Sequence, residues 1–270
     1  MSFSIAGKTA VVTGAANGIG LAIARHFVDN GANVMFADMD EDRLANECGE
    51  AQEKSDSIRY FCGDLREKLT IANLLSATLD AYDRVDILVN ASRQMMPTDP
   101  LDPDDDSMSI LLQQNLMTTL RLSQLFANRM IKQAAEDGHE DRPAGSIINL
   151  SSIAARRTHA NLLAYSVSSA ALDQATRSLA VALAPERIRV NAVAFGSVMS
   201  ASLKCAIKDD KTGMRADIID HTPLSRIASP GEVAEAVQFL ASDGSKFMTG
   251  QILTVDGGRT LLDVVDRAAH

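Results

Sequence analysis

Along this chain, short apolar runs trade places with longer stretches whose apolar residues recur every three or four positions. The first kind fits strands buried on both faces, and the second fits amphipathic helices. The runs predict strands at Thr9 to Val12, Val34 to Ala37, Ser57 to Cys62, Asp86 to Asn90, Ser146 to Leu150, Ile188 to Ala194 and Ile252 to Val255. The periodic stretches predict a helix after the first strand, with Ile19, Ala22, Ile23 and Phe27 on one face and Gly31 ending it. Further helices are predicted at Arg43 to Glu53, Lys68 to Tyr82, roughly Ser109 to Ala135, Tyr165 to Leu183 and Glu232 to Leu240. In the longest, Leu112, Leu116 and Leu120 share a face. Strand and helix alternate throughout, which implies an α/β fold. Its core is a doubly wound parallel sheet of about seven strands with helices on both faces.

No repeat or linker interrupts this alternation, so residues 1–270 read as one domain. Two polar insertions read as solvated loops: Pro97 to Asp106, with five Asp and three Pro, and Gln133 to Pro143. The first follows the C-terminal end of a strand, where open α/β sheets bind ligands, so it can rim a site. Hydrophobic residues make up 46% of the chain, ordinary for a soluble protein. A net charge of −9 argues against nucleic acid or an anionic membrane as partner. No apolar run reaches the ~18 residues of a membrane span. The N-terminus enters a strand almost at once, leaving no room for a signal peptide. Cys48, Cys62 and Cys205 are scattered, without a CxxC pair. They fit buried thiols in a reducing cytoplasm better than a disulfide frame or a zinc site, and no metal is expected.

The chemistry starts at Thr13-Gly-Ala-Ala-Asn-Gly-Ile-Gly20, between the first strand and the first helix. Gly14, Gly18 and Gly20 lack Cβ atoms, so backbone can turn tightly and approach a pyrophosphate. The helix behind them offers free N–H groups and the positive end of its dipole. Asp38 ends the second strand, eighteen residues after Gly20. A carboxylate there accepts hydrogen bonds from ribose hydroxyls and repels a 2′-phosphate. Asn17 stands where a basic residue would offset that repulsion, so NAD is favoured over NADP.

The chain resembles the short-chain dehydrogenase/reductase family from about residue 5 to 258. The resemblance rests on TGAANGIG at 13–20, Asp64-Leu65, Val89-Asn90-Ala91, Asn115, Ile147 to Ser152, Tyr165, Arg189 to Val193, Gly196 and Gly250 to Gly258. It implies a Rossmann-type sheet and oxidation of alcohols or reduction of carbonyls. It implies cofactor contacts from Gly14, Asn17, Gly18, Ile19, Gly20, Asp38, Asp64, Leu65, Asn90, Ala91, Tyr165, Gly196 and Val198. Asp64 would meet the adenine, and Asn90 would steady the fourth strand. Asn115 would hold a water of the proton relay, and Ser152 would bond the substrate oxygen. Tyr165, thirteen residues after Ser152, would exchange the proton. A small-molecule substrate and a homotetramer or homodimer are also implied. Oligomer contacts would come from the helices near 109–135 and 165–183 and from the tail 259–270, with Leu261, Leu262, Val264 and Val265.

The main departure is Ser169. The family motif is Tyr-x-x-x-Lys, and this chain reads Tyr165-Ser-Val-Ser-Ser169. In the family that lysine holds the nicotinamide ribose and lowers the tyrosine pKa. A cation ~4 Å from a phenol is worth about 4 kcal/mol at an effective dielectric near 20, or roughly three pKa units. Its loss would hurt oxidation, which needs a base, more than reduction. Arg93, Arg156, Arg157 and His159 are the candidate replacement cations. Ser92 replaces a motif glycine, Val89 a motif Asn, and Phe195 the proline before Gly196. Residues about 197–226 would lid the substrate pocket. Their apolar side is Met199, Leu203, Ile207, Met214 and Ile218, with Met95 and Met96 opposite. That hints at a hydrophobic alcohol or ketone, unless the methionines are adaptable packing.

Three readings follow. In the first, the protein is an oxidoreductase passing hydride between NAD(H) and an alcohol/carbonyl pair, with Tyr165 as acid/base and Ser152 orienting the oxygen. The alternative is an NAD-binding protein with little or no turnover, a sensor or partner subunit. The third is another reaction on the same fold.

Overall fold

The strands of this chain are buried on both sides, and that sets the architecture. The computed structural model describes residues 3–138, 142–208, 210 and 212–263. In chain order the elements are β1 (Thr9–Thr13), α1 (Gly18–Asp29), β2 (Asn33–Asp38), α2 (Glu41–Lys54), β3 (Ile58–Cys62), α3 (Lys68–Tyr82), β4 (Ile87–Asn90), α4 (Ser107–Leu111) and α5 (Thr118–Asp137). Then come β5 (Gly145–Ser152), α6 (Leu163–Leu183), β6 (Ile188–Phe195), α7 (Ala201–Lys208), α8 (Met214–Asp220), α9 (Pro230–Ala241) and β7 (Ile252–Val255). The strands form one sheet in the order β3-β2-β1-β4-β5-β6-β7. Every pairing is parallel.

Successive side chains of a strand point to opposite faces, so each strand feeds two cores. Ala10, Val12, Val34 and Phe36 pack with Ile23 and Phe27 of α1 and Val233, Val237 and Leu240 of α9. Val11, Met35, Leu88 and Ile147 pack on the other face with Leu74 of α3 and Phe126 and Met130 of α5. Burying each such side chain contributes about 1.5–3 kcal/mol. The chain order reverses direction at β1, which sends its crossovers outward to β2 on one side and β4 on the other. In open α/β sheets that switch point, at the strands' C-terminal ends, is where ligands bind.

The predicted long helix is interrupted. A single π-helical stretch, Leu112–Met117, separates α4 from α5. The inner face of the rod is also not the predicted leucine stripe. Leu112, Leu116 and Leu120 are half-buried, whereas Leu111, Asn115, Thr118, Thr119, Leu122 and Ser123 are buried. The inward face is polar because it meets a buried polar network. Asn90 Nδ2 donates to Ser123 Oγ at 3.2 Å and Asn149 Oδ1 at 2.9 Å, and Asn149 Nδ2 donates to Thr176 Oγ1 at 2.9 Å. The expected lid carries two helices, α7 and α8, that its pattern did not announce. Val264 and Val265 of the tail lie outside the described residues, as do residues 139–141 of the second polar insertion. Among the described residues no helix is long and apolar enough to cross a membrane.

Candidate active site

Two of the helix starts are closed, and the start of α1 is open. Asp40 caps α2, accepting from Arg43 N at 3.1 Å, and α9 carries a full capping box between Ser229 and Glu232. The N-cap of α1, Asn17, makes no side-chain capping bond, and its first turn holds no acid. The preceding turn is shaped by two glycines in the left-handed region, Gly14 at φ +67° and Gly18 at φ +59°. A Cβ on Gly14 would lie 2.8 Å from Ser92 Cα, and one on Gly20 would lie 2.1 Å from Gly14 O. Gly18 faces open space. Backbone therefore lines this end of a cleft of about 650 Å³.

The cleft runs along the sheet's C-terminal edge. It is lined by Gly14, Asn17, Gly18, Ile19, Gly20, Asp38, Asp64, Leu65, Ala91 and Tyr165 among the predicted residues. Asn90, Asn115, Ser152, Ser169, Gly196 and Val198 lie outside that lining and are placed behind or beside it. Met39, Gly63, Arg66, Ser92, Gln94, Gln114, Leu150, Phe195 and Ser200 also line it, with Arg93 and Met95. Among the described residues of the expected lid, only Ser200 contributes to this wall. Met96 packs beneath Tyr165 instead, with Met108 and Leu162.

At the glycine end, the Asp38 carboxylate ties β2 to the turn. Its Oδ2 accepts from Ala16 N at 3.0 Å, and its Oδ1 from Met39 N at 2.7 Å and Asp40 N at 3.2 Å. An Oδ2 lone pair remains for a further donor. Asp64 is engaged by Arg66, whose Nε donates to both carboxylate oxygens at 2.9 and 3.0 Å. That bonding holds the Asp64 carboxyl below the usual carboxylate range. Arg66 carried no separate sequence signal beyond following the Asp64-Leu65 motif. An open helix start, a backbone cradle and a carboxylate at the end of β2 together fit a dinucleotide.

At the other end, Tyr165 opens α6 and is buried, 8% exposed. Its hydroxyl accepts a hydrogen bond from Arg93 Nη2, and Arg93 Nη1 donates to Ser151 O at 2.5 Å. The guanidinium carbon sits 4.9 Å from the centroid of the Tyr165 ring and 5.3 Å from that of Phe195. The other three candidate cations bond elsewhere. Arg156 donates to Thr254 Oγ1 at 3.2 Å, Arg157 to Thr260 O and Leu262 O, and His159 Nδ1 accepts from Asn161 N. Ser152 Oγ accepts from Ala154 N at 3.1 Å, which leaves its proton to donate.

Ser169, one helical turn after Tyr165, is 2% exposed, and its hydroxyl has no partner. One more turn along, Asp173 is 4% exposed and accepts from Ser151 Oγ at 2.6 Å. Burial pushes its carboxyl up, against the Ser151 bond and the charges of Arg156, Arg177 and Arg93. Asn115 sits in the π-helical stretch, a frequent device at functional sites. Its Oδ1 accepts from Gln94 N at 2.8 Å, and its Nδ2 donates to Gln94 O at 2.9 Å and Ser168 Oγ at 3.3 Å. Its amide is thus committed to the loop that carries Arg93. The Ser92 hydroxyl, at the position where the resemblance implies a glycine, accepts from Gln114 Nε2 at 3.2 Å.

Comparison with known proteins agrees with this architecture. The enoyl-(acyl carrier protein) reductase model of the short-chain dehydrogenases matches residues 14–260. A cis-4-hydroxycyclohexanecarboxylate dehydrogenase from Sinomonas cyclohexanicum is 35% identical over 262 residues, covering 96% of this chain and 99% of the relative. The 7alpha-hydroxysteroid dehydrogenase of Escherichia coli K12 is 31% identical over 252 residues, covering 93% and 94%. A solved 7alpha-hydroxysteroid dehydrogenase, in complex with NADH and 7-oxo glycochenodeoxycholic acid, superposes with a TM-score of 0.84 at 30% identity, covering 95% and 96% of the two chains. The crystal structure of gox2181 gives 0.87 at 29%, covering 97% and 98%.

Proposed function

This chain belongs to the short-chain dehydrogenase/reductase family, and we propose that it passes hydride between NAD(H) and a secondary alcohol/ketone pair. One observation carries the reading. The Tyr165 hydroxyl end and the glycine turn with Asp38 line a single cleft, so a proton donor and a dinucleotide cradle share one space.

When bound, the nicotinamide supplies or accepts the hydride. Everything else falls to the chain. The glycine turn and the open start of α1 take the pyrophosphate. Asp38 takes a ribose hydroxyl through Oδ2 and repels a 2′-phosphate, which favours NAD over NADP. Tyr165 Oη gives its proton to the carbonyl oxygen in reduction and takes one from the alcohol in oxidation. Ser152 donates to the same oxygen and stabilises its developing charge. Asn115 acts through the backbone of Gln94.

Two relatives are named for hydroxyl groups on alicyclic rings. Likeness to them supports a ring alcohol or ketone as the substrate class. A homo-oligomer in the cytoplasm completes the reading, the oligomer supported by the outward faces of the π-helical stretch, α5 and α6. Leu112, Leu116 and Leu120 are only half-buried, and Val181 is 77% exposed.

The test is an NADH fluorescence titration followed by assays on cyclic ketones and secondary alcohols. Binding, with turnover that dies in Tyr165→Phe, is the expected result. NADH binding without turnover on any member would instead favour a cofactor-binding protein. Absence of NADH binding would sink both readings.

A further inference from the structure

Arg93, in the loop after β4, meets Tyr165 and Phe195, while Ser169 stands one helical turn along α6 from Tyr165. We propose that Arg93 is the cation of this site. From the end of β4, it takes over the charge that a lysine at position 169 would have delivered from α6. The proposal rests on the nicotinamide-binding reading above and goes beyond it by assigning the charge to a residue outside the family motif.

The geometry is specific to arginine. The planar guanidinium donates to the Tyr165 hydroxyl and the Ser151 carbonyl while facing two rings, at 4.9 Å from Tyr165 and 5.3 Å from Phe195. A fork of donors on a flat, weakly hydrated cation suits such a slot, and an ammonium does not. Phe195, in place of a proline, provides the second ring. Ser169 is buried, uncharged and without a hydrogen-bond partner, so α6 itself brings no charge to this turn.

The loop is also built to hold Arg93. Thr13 Oγ1 accepts from Ala91 N and Ser92 N, both at 3.0 Å. Gln114 bonds the Ser92 hydroxyl, and Asn115 bonds both backbone groups of Gln94. The residues on either side of Arg93 are therefore pinned by β1 and the π-helical stretch. A buried countercharge completes the arrangement. Ser151 offers its carbonyl to Arg93 and its hydroxyl to Asp173. Arg156 and Arg177 are the other charges that act on Asp173.

Two consequences distinguish this from a structural role. A guanidinium donates hydrogen bonds in a fixed fork without giving up its proton, so Arg93 orients the Tyr165 hydroxyl and takes no part in a proton relay. It also sets a fixed positive charge beside the nicotinamide end of the cleft, which disfavours the oxidised, cationic ring relative to the reduced one.

The experiment measures the ratio of NAD to NADH dissociation constants by NADH fluorescence and competition, using the full chain. The variants are Arg93→Met, which keeps the packed stem, Arg93→Lys, and Arg93→Met combined with Ser169→Lys. In Arg93→Met, NAD is expected to tighten relative to NADH by roughly 5-fold or more, because removing a fixed positive charge from that end of the cleft relieves its repulsion of a cationic ring. Arg93→Lys and the double variant are expected to return the ratio to within about 2-fold of wild type. The double variant is also expected to regain alcohol oxidation lost in Arg93→Met. Arg93→Gln gives the same reading if the Met variant does not fold. An unchanged ratio in the neutral variants, or both constants weakening together without rescue by Ser169→Lys, would overturn the role of Arg93 alone. Failure of the wild type to bind either cofactor would overturn the nicotinamide reading and the proposal with it.

Discussion

The two ends of the cleft obey different rules. At the glycine end every part stands where the family pattern puts it: the turn, the open helix start and the carboxylate at the end of β2. At the tyrosine end the chain carries Ser92, Ser169 and Phe195, where the resemblance implies other residues, and Arg93 bonds the phenol. The difference lies in what does the work. At the glycine end it is backbone, whose conformation is tied to position. A Cβ at Gly14 would strike Ser92 Cα, so no other element can supply that cradle. At the tyrosine end it is charge, which acts through space. Any element that brings a cation within reach will serve, and on the proposal above the loop after β4 does so instead of α6.

Substitutions can break this comparison, and the largest effect belongs to the tyrosine end. Tyr165→Phe is expected to lower turnover by about 1000-fold, in the range of a lost acid/base, while leaving the NADH dissociation constant within about 2-fold. Parallel kinetics and fluorescence titration check it. Loss of binding in this variant would mean the two ends are not separable.

Gly14→Ala comes next and should do the reverse. The new Cβ meets backbone atoms at 2.8 and 2.9 Å from a residue at φ +67°. NADH affinity should fall by about 10-fold or more, and stability by about 1–3 kcal/mol. Urea melts and fluorescence titration measure the two. Unchanged affinity would remove the backbone cradle from the argument.

Asp38→Ser should change selectivity and not strength alone. Removing the carboxylate is expected to improve NADPH relative to NADH by about 10-fold, equivalent to about 1.4 kcal/mol. Competition titration with the two cofactors decides it.

The smallest effect tests the scaffold beneath both ends. Glu232 closes the capping box of α9, which packs on α1, and bonds Arg226 and Ser229. The bonded Arg226 guanidinium brings its carboxyl down from 4.5 to about 2. A depressed carboxyl stabilises the fold above its unfolded range, and that contribution fades as pH falls from about 4.5 toward 2. The pair is largely exposed, so the charge is screened, and the cap dominates at about 1 kcal/mol. Glu232→Ala should lower Tm by about 2–4 °C at pH 7 and by less at pH 3, with cofactor affinity unchanged.

Much of this was legible beforehand, for local reasons. The bounds of α3 and β7 follow from the apolar pattern, because one period governs each segment from end to end. The alternation of such segments implied a parallel sheet. The glycine turn and Asp38 were readable because strand, turn and helix are consecutive in the chain. The pattern failed at the rod containing Asn115. There the leucine stripe faces outward and the buried face is polar, since it serves a network built by β4, β5 and α6. It failed again in the lid, where the expected apolar residues leave the cleft wall to Ser200.

By itself the sequence determined the α/β alternation, the glycine turn between β1 and α1, and a serine at position 169. These are properties of contiguous residues and of backbone geometry. Tertiary structure decided which cation meets Tyr165. Among Arg93, Arg156, Arg157 and His159, all close in the chain to site residues, only Arg93 bonds Tyr165. That choice depended on Thr13, Gln114 and Asn115 gripping one loop, and on Phe195 closing its far side. Those residues come from three separate segments, β1, the π-helical stretch and β6, and only the folded sheet brings them together.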